Sequence, residues 1–254
     1  MNAVENQYRN ADNLNIRISI HQKYSVNRQP FGEWIMEHYD IRPGFRILEL
    51  GCGTADMWKG KQHLLKDQTE LILTDLSPGM IAAARENTTD FSGVQYQIVD
   101  IQDIPYPENT FDMVIANMML YHVPNLQKGL SEVRRVLKSG GKFYCATYGQ
   151  HGIMEFVNET LREYNIKGRI GDRFLLQNGG ELLNAWFSKI ERYDREDGLA
   201  VTDVRDFVRY VKSLTDLTGL DAVDAETLQI AFEKKTSEGV LFVPKQYGMF
   251  VCTK

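Results

Sequence analysis

The chain has 254 residues, 43% of them hydrophobic and 25% charged, with a formal net charge of -5 at pH 7. These values fit a globular protein with a substantial core, and the acidic balance weighs against a surface built for the phosphate backbone of nucleic acid. Cys52, Cys145 and Cys252 stand far apart with no Cys-x-x-Cys, and neither an apolar run of about 18 residues nor a secretory leader is present, so a cytoplasmic protein without a metal centre or membrane segment is expected.

Residues 1–24 are polar with scattered aromatics and show no period. From Gln29 to Tyr39, the residues Phe31, Trp34, Ile35, His38 and Tyr39 recur at helical spacing and predict an amphipathic helix ended near Arg42-Pro43-Gly44. Arg46 to Trp58 then reads as a buried strand, Ile47, Leu48 and Leu50, stopping at Gly51-Cys52-Gly53, with Thr54 as N-cap of a helix reaching Leu65. Glu70 to Asp75 is a second strand closing in an acid, and a helix over Met80 to Glu86 follows, opened by Ser77 or Pro78. Gly93 to Asp100 alternates as a strand and again ends on an acid. Phe111 to Asn117 is nearly all apolar, as befits a strand covered on both faces.

Leu126, Leu130, Val133 and Leu137 mark a helix finished by Ser139-Gly140-Gly141, where a glycine can take the left-handed cap conformation. The basic residues Arg134, Arg135, Lys138 and Lys142 read as its solvated end. Lys142 to Tyr148 is a fifth strand. Helices are expected over His151 to Tyr164 and Gly180 to Phe187, a sixth strand over Lys189 to Tyr193, and further helices from Thr202 and over Ala225 to Lys234. Gly239 to Thr253 is a last apolar strand, interrupted by Pro244 and Gly248.

The chemistry concentrates at the first glycine turn. Two glycines one residue apart let the backbone turn sharply and approach a ligand closely. A dinucleotide fingerprint would place a small residue where Asp56 stands, and the Gly-Lys-Ser/Thr of a phosphate loop is missing. Glu49 and Asp56 flank the turn instead, with no Lys or Arg from residue 47 to 58, which suits a ligand bearing positive charge and hydroxyls. Asp75, about twenty residues on, is placed to accept from both ribose hydroxyls of a nucleoside. Three successive strands thus end in Glu49, Asp75 and Asp100, and parallel strands bring such ends to one crevice.

With Glu49, Gly51 and Gly53, then Asp75-Leu76-Ser77-Pro78-Gly79-Met80, Asp100-Ile101 and the Leu137-Lys138-Ser139-Gly140-Gly141 turn, the chain resembles the class I S-adenosylmethionine-dependent methyltransferases, small-molecule (type 11) group, over roughly residues 43–148. The resemblance implies an α/β, Rossmann-like, doubly wound seven-stranded sheet in the order 3-2-1-4-5-7-6 with the last strand antiparallel. It implies a single domain over 1–254: an N-terminal helical lid (1–42), a cofactor-binding core (43–198), a helical insertion capping the substrate pocket (199–238) and a final strand (239–254).

By the same resemblance, Glu49, Gly51, Cys52, Gly53, Asp75 and Leu76 would hold S-adenosyl-L-methionine, Met80 would flank its adenine or else be core, Asp100 would accept from the exocyclic amine, and Ile101 would pack on the ring. Asn117 and Met118 at the end of the fourth strand, and Tyr24 from the lid, complete the set. Trp34 reads as a lid contact or as core, His21 as a lid contact or an exposed surface residue, and Phe156, Phe174 and Tyr210 as pocket lining or core. Asn117-Met118-Met119-Leu120 replaces the Asn-Pro-Pro-Tyr of enzymes that methylate base amines, which argues against a nucleic-acid substrate. Tyr121-His122-Val123 resembles the small-molecule group, in which the histidine faces the substrate side, so His122 is the candidate to take a proton from a small-molecule acceptor, or else only orders the loop. No metal is required, because methyl transfer from a sulfonium is a single in-line displacement. A non-catalytic S-adenosylmethionine-binding regulator, an NAD-dependent oxidoreductase and a homodimer built through the insertion stay open as alternatives.

Overall fold

The computed structural model describes residues 12–254 apart from 170 and 215–217. Residues 1–11 of the expected lid and 215–217 of the expected insertion therefore lie outside the described residues. The chain runs α1 (Asp12–Tyr24), α2 (Phe31–Met36), β1 (Arg46–Leu50), β2 (Glu70–Asp75), α3 (Pro78–Asn87), β3 (Val94–Ile98), β4 (Phe111–Ile115), α4 (Leu126–Val136) and β5 (Leu137–Tyr148). It continues through α5 (Ile153–Leu161), α6 (Gly179–Asn184), β6 (Lys189–Val201), α7 (Val204–Ser213), α8 (Ala225–Glu233) and β7 (Leu241–Thr253).

The strands form one seven-stranded sheet in the order β3-β2-β1-β4-β5-β7-β6. β1, β2, β3, β4 and β5 are parallel, with Glu49 opposite Leu73 and Ile115, and Asp75 opposite Ile98. β7 runs against them: Gly140 donates to Lys254, Lys254 donates to Gly141, and farther along Gly149 donates to Gln246, so rising numbers on β5 meet falling numbers on β7. The expected order and the antiparallel last strand are both present.

Two compact units divide the chain, and the division falls within β6 and β7. One comprises Phe31–Thr147, Arg173–Tyr193 and Gly248–Lys254. Its strands are apolar on both faces: Leu48, Leu50, Ile72, Val114 and Phe143 belong to one core together with Leu130, Val133 and Val136 of α4. Ile47, Leu71, Leu73, Met113 and Ile115 belong to another with Ile35 of α2 and Ala84 of α3. Burial on both sides is what made these strands read as continuous apolar runs, and each fully buried aromatic such as Phe111 or Phe143 contributes roughly 2–3 kcal/mol of transfer free energy.

The other unit comprises the described parts of Met1–Pro30, Tyr148–Asp172 and Asp194–Tyr247. α1 packs on α7, and Phe207, Val211, Leu228 and Phe232 close a separate core over Leu199, Val201, Leu241 and Val243 of the two strands. Asp203 and Asp224 cap α7 and α8, each accepting from a backbone N–H of the first turn.

Several local expectations are corrected. The helix expected from Thr54 to Leu65 is absent: Ala55 takes φ +54°, and only single 3-10 turns form at Asp56–Trp58 and Gln62–Leu64. Thr54 is buried rather than a helix cap. α4 stops at Val136, and Gly140, at φ +73°, serves a bulge near the start of β5, where Phe111 faces Leu137 but Met113 faces Lys142. β6 continues eight residues past Tyr193, because Arg195 and Asp197 in the charged stretch are buried and paired, at 3.1 Å to each other and with Lys245 of β7. β7 is not interrupted. Gly149 bonds to Gln246, so the main chain of Pro244, two residues earlier, faces the place where β5 has already ended and no ladder bond is lost.

Candidate functional site

The carboxyl ends of β1, β2 and β4 share one edge because the three strands are parallel and adjacent. There Gly51 and Gly53 hold φ of +66° and +56°, and Cys52 N–H donates to the Thr74 carbonyl at 2.8 Å. A side chain on Gly51 would also collide: its Cβ would lie 2.9 Å from Met119 Cγ. Positive φ and the closeness of Met119 together require glycine at residue 51.

Asp75 ties the first turn to the second. Its Oδ2 accepts from Gly53 N–H at 3.0 Å and its Oδ1 from Ser77 N–H at 2.8 Å, leaving lone pairs on both oxygens. Burial raises its pKa, opposed by these backbone donors. Glu49 is more deeply set, 4% exposed, with Trp58 Nε1–H donating to its Oε2 and Thr74 Oγ1 donating to its carbonyl at 2.7 Å. Burial pushes the Glu49 carboxyl up to about 7; the indole hydrogen bond works against that rise and the nearby Asp75 adds to it. Asp56, the other acid flanking the turn, is exposed at the start of the 3-10 turn.

Asp100, half-buried, accepts from Gln102 N–H at 2.8 Å and from Gln102 Nε2 at 3.1 Å on each oxygen. Leu76 is 49% exposed, whereas Met80 is fully buried and Ile101 is 5% exposed within the core. Cys52 is half-buried. Asn117 donates to Tyr39 Oη at 2.6 Å and accepts from Ala146 N–H at 3.0 Å, and Met118 follows at φ +55° with its N–H on the Ala146 carbonyl. A methionine held in the left-handed region at a strand end is a place where backbone strain is stored. His122 lies in the 3-10 turn Leu120–His122, edge-on to Tyr121 at 4.5 Å.

Tyr24 belongs to the other unit, where its hydroxyl donates to Asp206 at 2.7 Å. His21, taken for a surface residue or a lid contact, has its ring edge-on to Tyr210 and Tyr247, and burial, with Lys245 next, pushes its pKa down to about 3. Trp34 stacks on Phe31 and packs against the core. Phe174 and Tyr210 are core residues, and Phe156 packs against the core of its unit.

Trp58, Tyr39 and Met119, which contact Glu49, Asn117 and the Gly51 turn, and the 53% exposed Ile98, register partner of Asp75, were not among the candidates read from the sequence. Their spacing announces only core or strand, and no local pattern sets an indole against Glu49.

The elevated Glu49 pKa has a sign that can be tested. A carboxyl raised above its unfolded value contributes stability while protonated, below its ordinary range, and loses it as pH rises through about 7. Glu49→Gln, which stays neutral, is expected to be more stable than the parent by roughly 2–3 kcal/mol at about pH 8. That advantage should fade below about pH 5. Urea denaturation at the two pH values checks this, and equal differences at both would contradict the buried-acid assignment.

Residues 48–145 match the family model described as a methyltransferase domain. The ubiquinone/menaquinone biosynthesis C-methyltransferase UbiE of Teredinibacter turnerae is 28% identical over 144 residues, which is 55% of this chain and 57% of that protein. UbiE of Shewanella baltica is 30% identical over the same shares. The chain therefore spans little more than half the length of these curated relatives. Among solved structures, the YcgJ protein of Bacillus subtilis superposes with a TM-score of 0.65 at 17% identity, covering 88% of this chain and 97% of that one. The [4+2]-cyclase SpnF superposes with 0.62 at 19% identity, covering 99% and 95%. Strand order and glycine turn agree with the methyltransferase-domain match over residues 48–145, and the chain shares the fold of these solved structures.

Proposed function

We propose that the protein transfers a methyl group from S-adenosyl-L-methionine to a small-molecule acceptor. What supports this reading is the Asp75 carboxylate, which accepts from Gly53 N–H and Ser77 N–H and acts on the buried Glu49, at a glycine turn with no Lys or Arg from residue 47 to 58, a donor set that suits a cationic nucleoside. Gly51 and Gly53 would give the ligand close access to the backbone, and the free lone pairs of Asp75 would take the ribose hydroxyls. Glu49 would balance the positive charge, while Leu76, Ile98 and Asp100 would receive the nucleobase. Asn117 and Met118 border the same edge, and Met80 and Ile101 would support it from beneath. When bound, the cofactor supplies a methyl on a sulfonium, an already activated carbon. What the chain contributes is orientation of the acceptor in line with that carbon and exclusion of water. His122 would accept the proton of an acceptor that must lose one.

The cytoplasm is the setting of this reading, in keeping with free cysteines, and a homodimer is its oligomeric alternative to a monomer, which light scattering separates. No helix among the described residues is long and apolar enough to cross a membrane.

A second reading has one observation in its favour: SpnF, named as a [4+2]-cyclase, shares the fold, so the fold does not fix the reaction. The chain would then bind the cofactor without transferring its methyl. An NAD-dependent oxidoreductase fits worse, because the chain after Gly53 forms a three-residue 3-10 turn and offers no α-helix N-terminus to a pyrophosphate.

S-adenosylmethionine is expected to raise the melting temperature by several degrees, about 1–3 kcal/mol of linkage at saturating ligand. Incubation of metabolite fractions with methyl-labelled cofactor should then move label into a small molecule. A thermal shift without label transfer supports the non-catalytic binder, and stabilisation by NAD alone sinks the proposal.

A further inference from the structure

The chain beyond the glycine turn departs from the helix its sequence predicts, and the departure places one side chain. A regular helix from Thr54 would carry residue 58 about 6 Å along its axis from the turn. Instead Ala55 adopts the left-handed conformation at φ +54°, and the 3-10 turn Asp56–Trp58 folds the indole back under β1, where it is 0% exposed. Its Nε1–H donates to Glu49 Oε2. A buried indole needs a hydrogen-bond acceptor, and in a core otherwise made of Ile, Leu, Val, Ala, Met and Tyr the Glu49 carboxylate is the one it meets.

We propose that Trp58 is a positioning residue for the cofactor: through its hydrogen bond it fixes the orientation and the charge of the Glu49 carboxylate, without itself touching the ligand. The proposal rests on the reading of the glycine turn as the S-adenosylmethionine site. Of the influences on Glu49, burial and the Asp75 carboxylate oppose the anion, and the indole hydrogen bond favours it. The other titratable neighbours are Cys52 and Tyr39, both held well above their ordinary values chiefly by burial and so neutral through this range. A charge-assisted hydrogen bond from a side chain locked in the core is a rigid way to keep such a carboxylate oriented and ionised.

The test titrates S-adenosylmethionine and S-adenosylhomocysteine by calorimetry across pH into the parent, Trp58→Phe, Glu49→Gln and the double variant. The parent should gain affinity as pH rises through about 7. In Trp58→Phe that step should move upward by about one pH unit, leaving binding about fivefold weaker near neutrality and within about twofold of the parent at high pH. Glu49→Gln should show no step, and adding Trp58→Phe to it should cost nothing more. Loss of affinity by the same factor at every pH is the result of a merely structural role and overturns the proposal. Should Trp58→Phe not fold, the parent decides: one 15N-labelled indole resonance must titrate with a midpoint of about 7 and lose that step in Glu49→Gln. A Trp58 indole insensitive to pH overturns the proposal as well. Failure of the parent to bind either ligand at any pH strikes the methyltransferase reading itself, and the proposal falls with it.

Discussion

Gly51→Val is expected to abolish the thermal stabilisation by S-adenosylmethionine, the largest effect of any single change at the turn. Two independent physical terms act together. Gly51 sits at φ +66°, a region that costs a β-branched residue more than about 1–2 kcal/mol. In addition, a Cβ there meets Met119 at 2.9 Å to Cγ and 3.0 Å to Cβ, so Met119 or the turn must shift. Because Cys52 and Gly53 are bonded to the end of β2, a shift of the turn displaces the groups that would face the ligand. Gly44→Val is the control: Gly44 has φ +76° but nothing within 4 Å of an added Cβ, so it carries the strain without the collision. Gly44→Val should lose stability and keep the ligand-induced shift. A full shift in Gly51→Val, with melting of the unliganded protein otherwise unchanged, would remove the turn from the site.

Asp75→Ala is expected to weaken S-adenosylmethionine binding by about two orders of magnitude and to lower stability by roughly 2–4 kcal/mol, since it leaves two backbone donors without their acceptor. Those donors, Gly53 N–H and Ser77 N–H, belong to the turns after β1 and β2, so one carboxylate sets the spacing of both. Asp75→Asn separates the roles. Its amide keeps one acceptor but turns an NH2 toward the other donor, so part of the structural loss and most of the ligand loss should remain. Calorimetric titration beside urea melts resolves the two, and an Asp75→Ala protein that binds within threefold of the parent would count decisively against a ribose contact.

The strands were legible in the sequence because burial on both faces leaves little besides apolar residues. Leu71, Ile72 and Leu73 are all fully buried, and Glu70–Asp75 was bounded correctly at both ends. The second unit was less legible. Asp194 to Gly198 looks like an exposed turn, yet Asp197 has no exposed side-chain surface, because Arg195 and Lys245, 48 residues away in the chain, pair with it. Cys145 and Cys252, far apart in sequence, become hydrogen-bonded neighbours on adjacent strands.

What the sequence by itself determined is where the strands lie and which residues close them: continuous apolar runs, broken by glycine or closed by a carboxylate, mark strands covered on both faces, while their order came with the family resemblance. What only the tertiary structure decided is how the rim is finished. The left-handed Ala55, the indole under Glu49, the bulge at Gly140 and the buried charges of β6 each depend on a partner distant in sequence, and local propensity carries no information about a partner that only folding brings near.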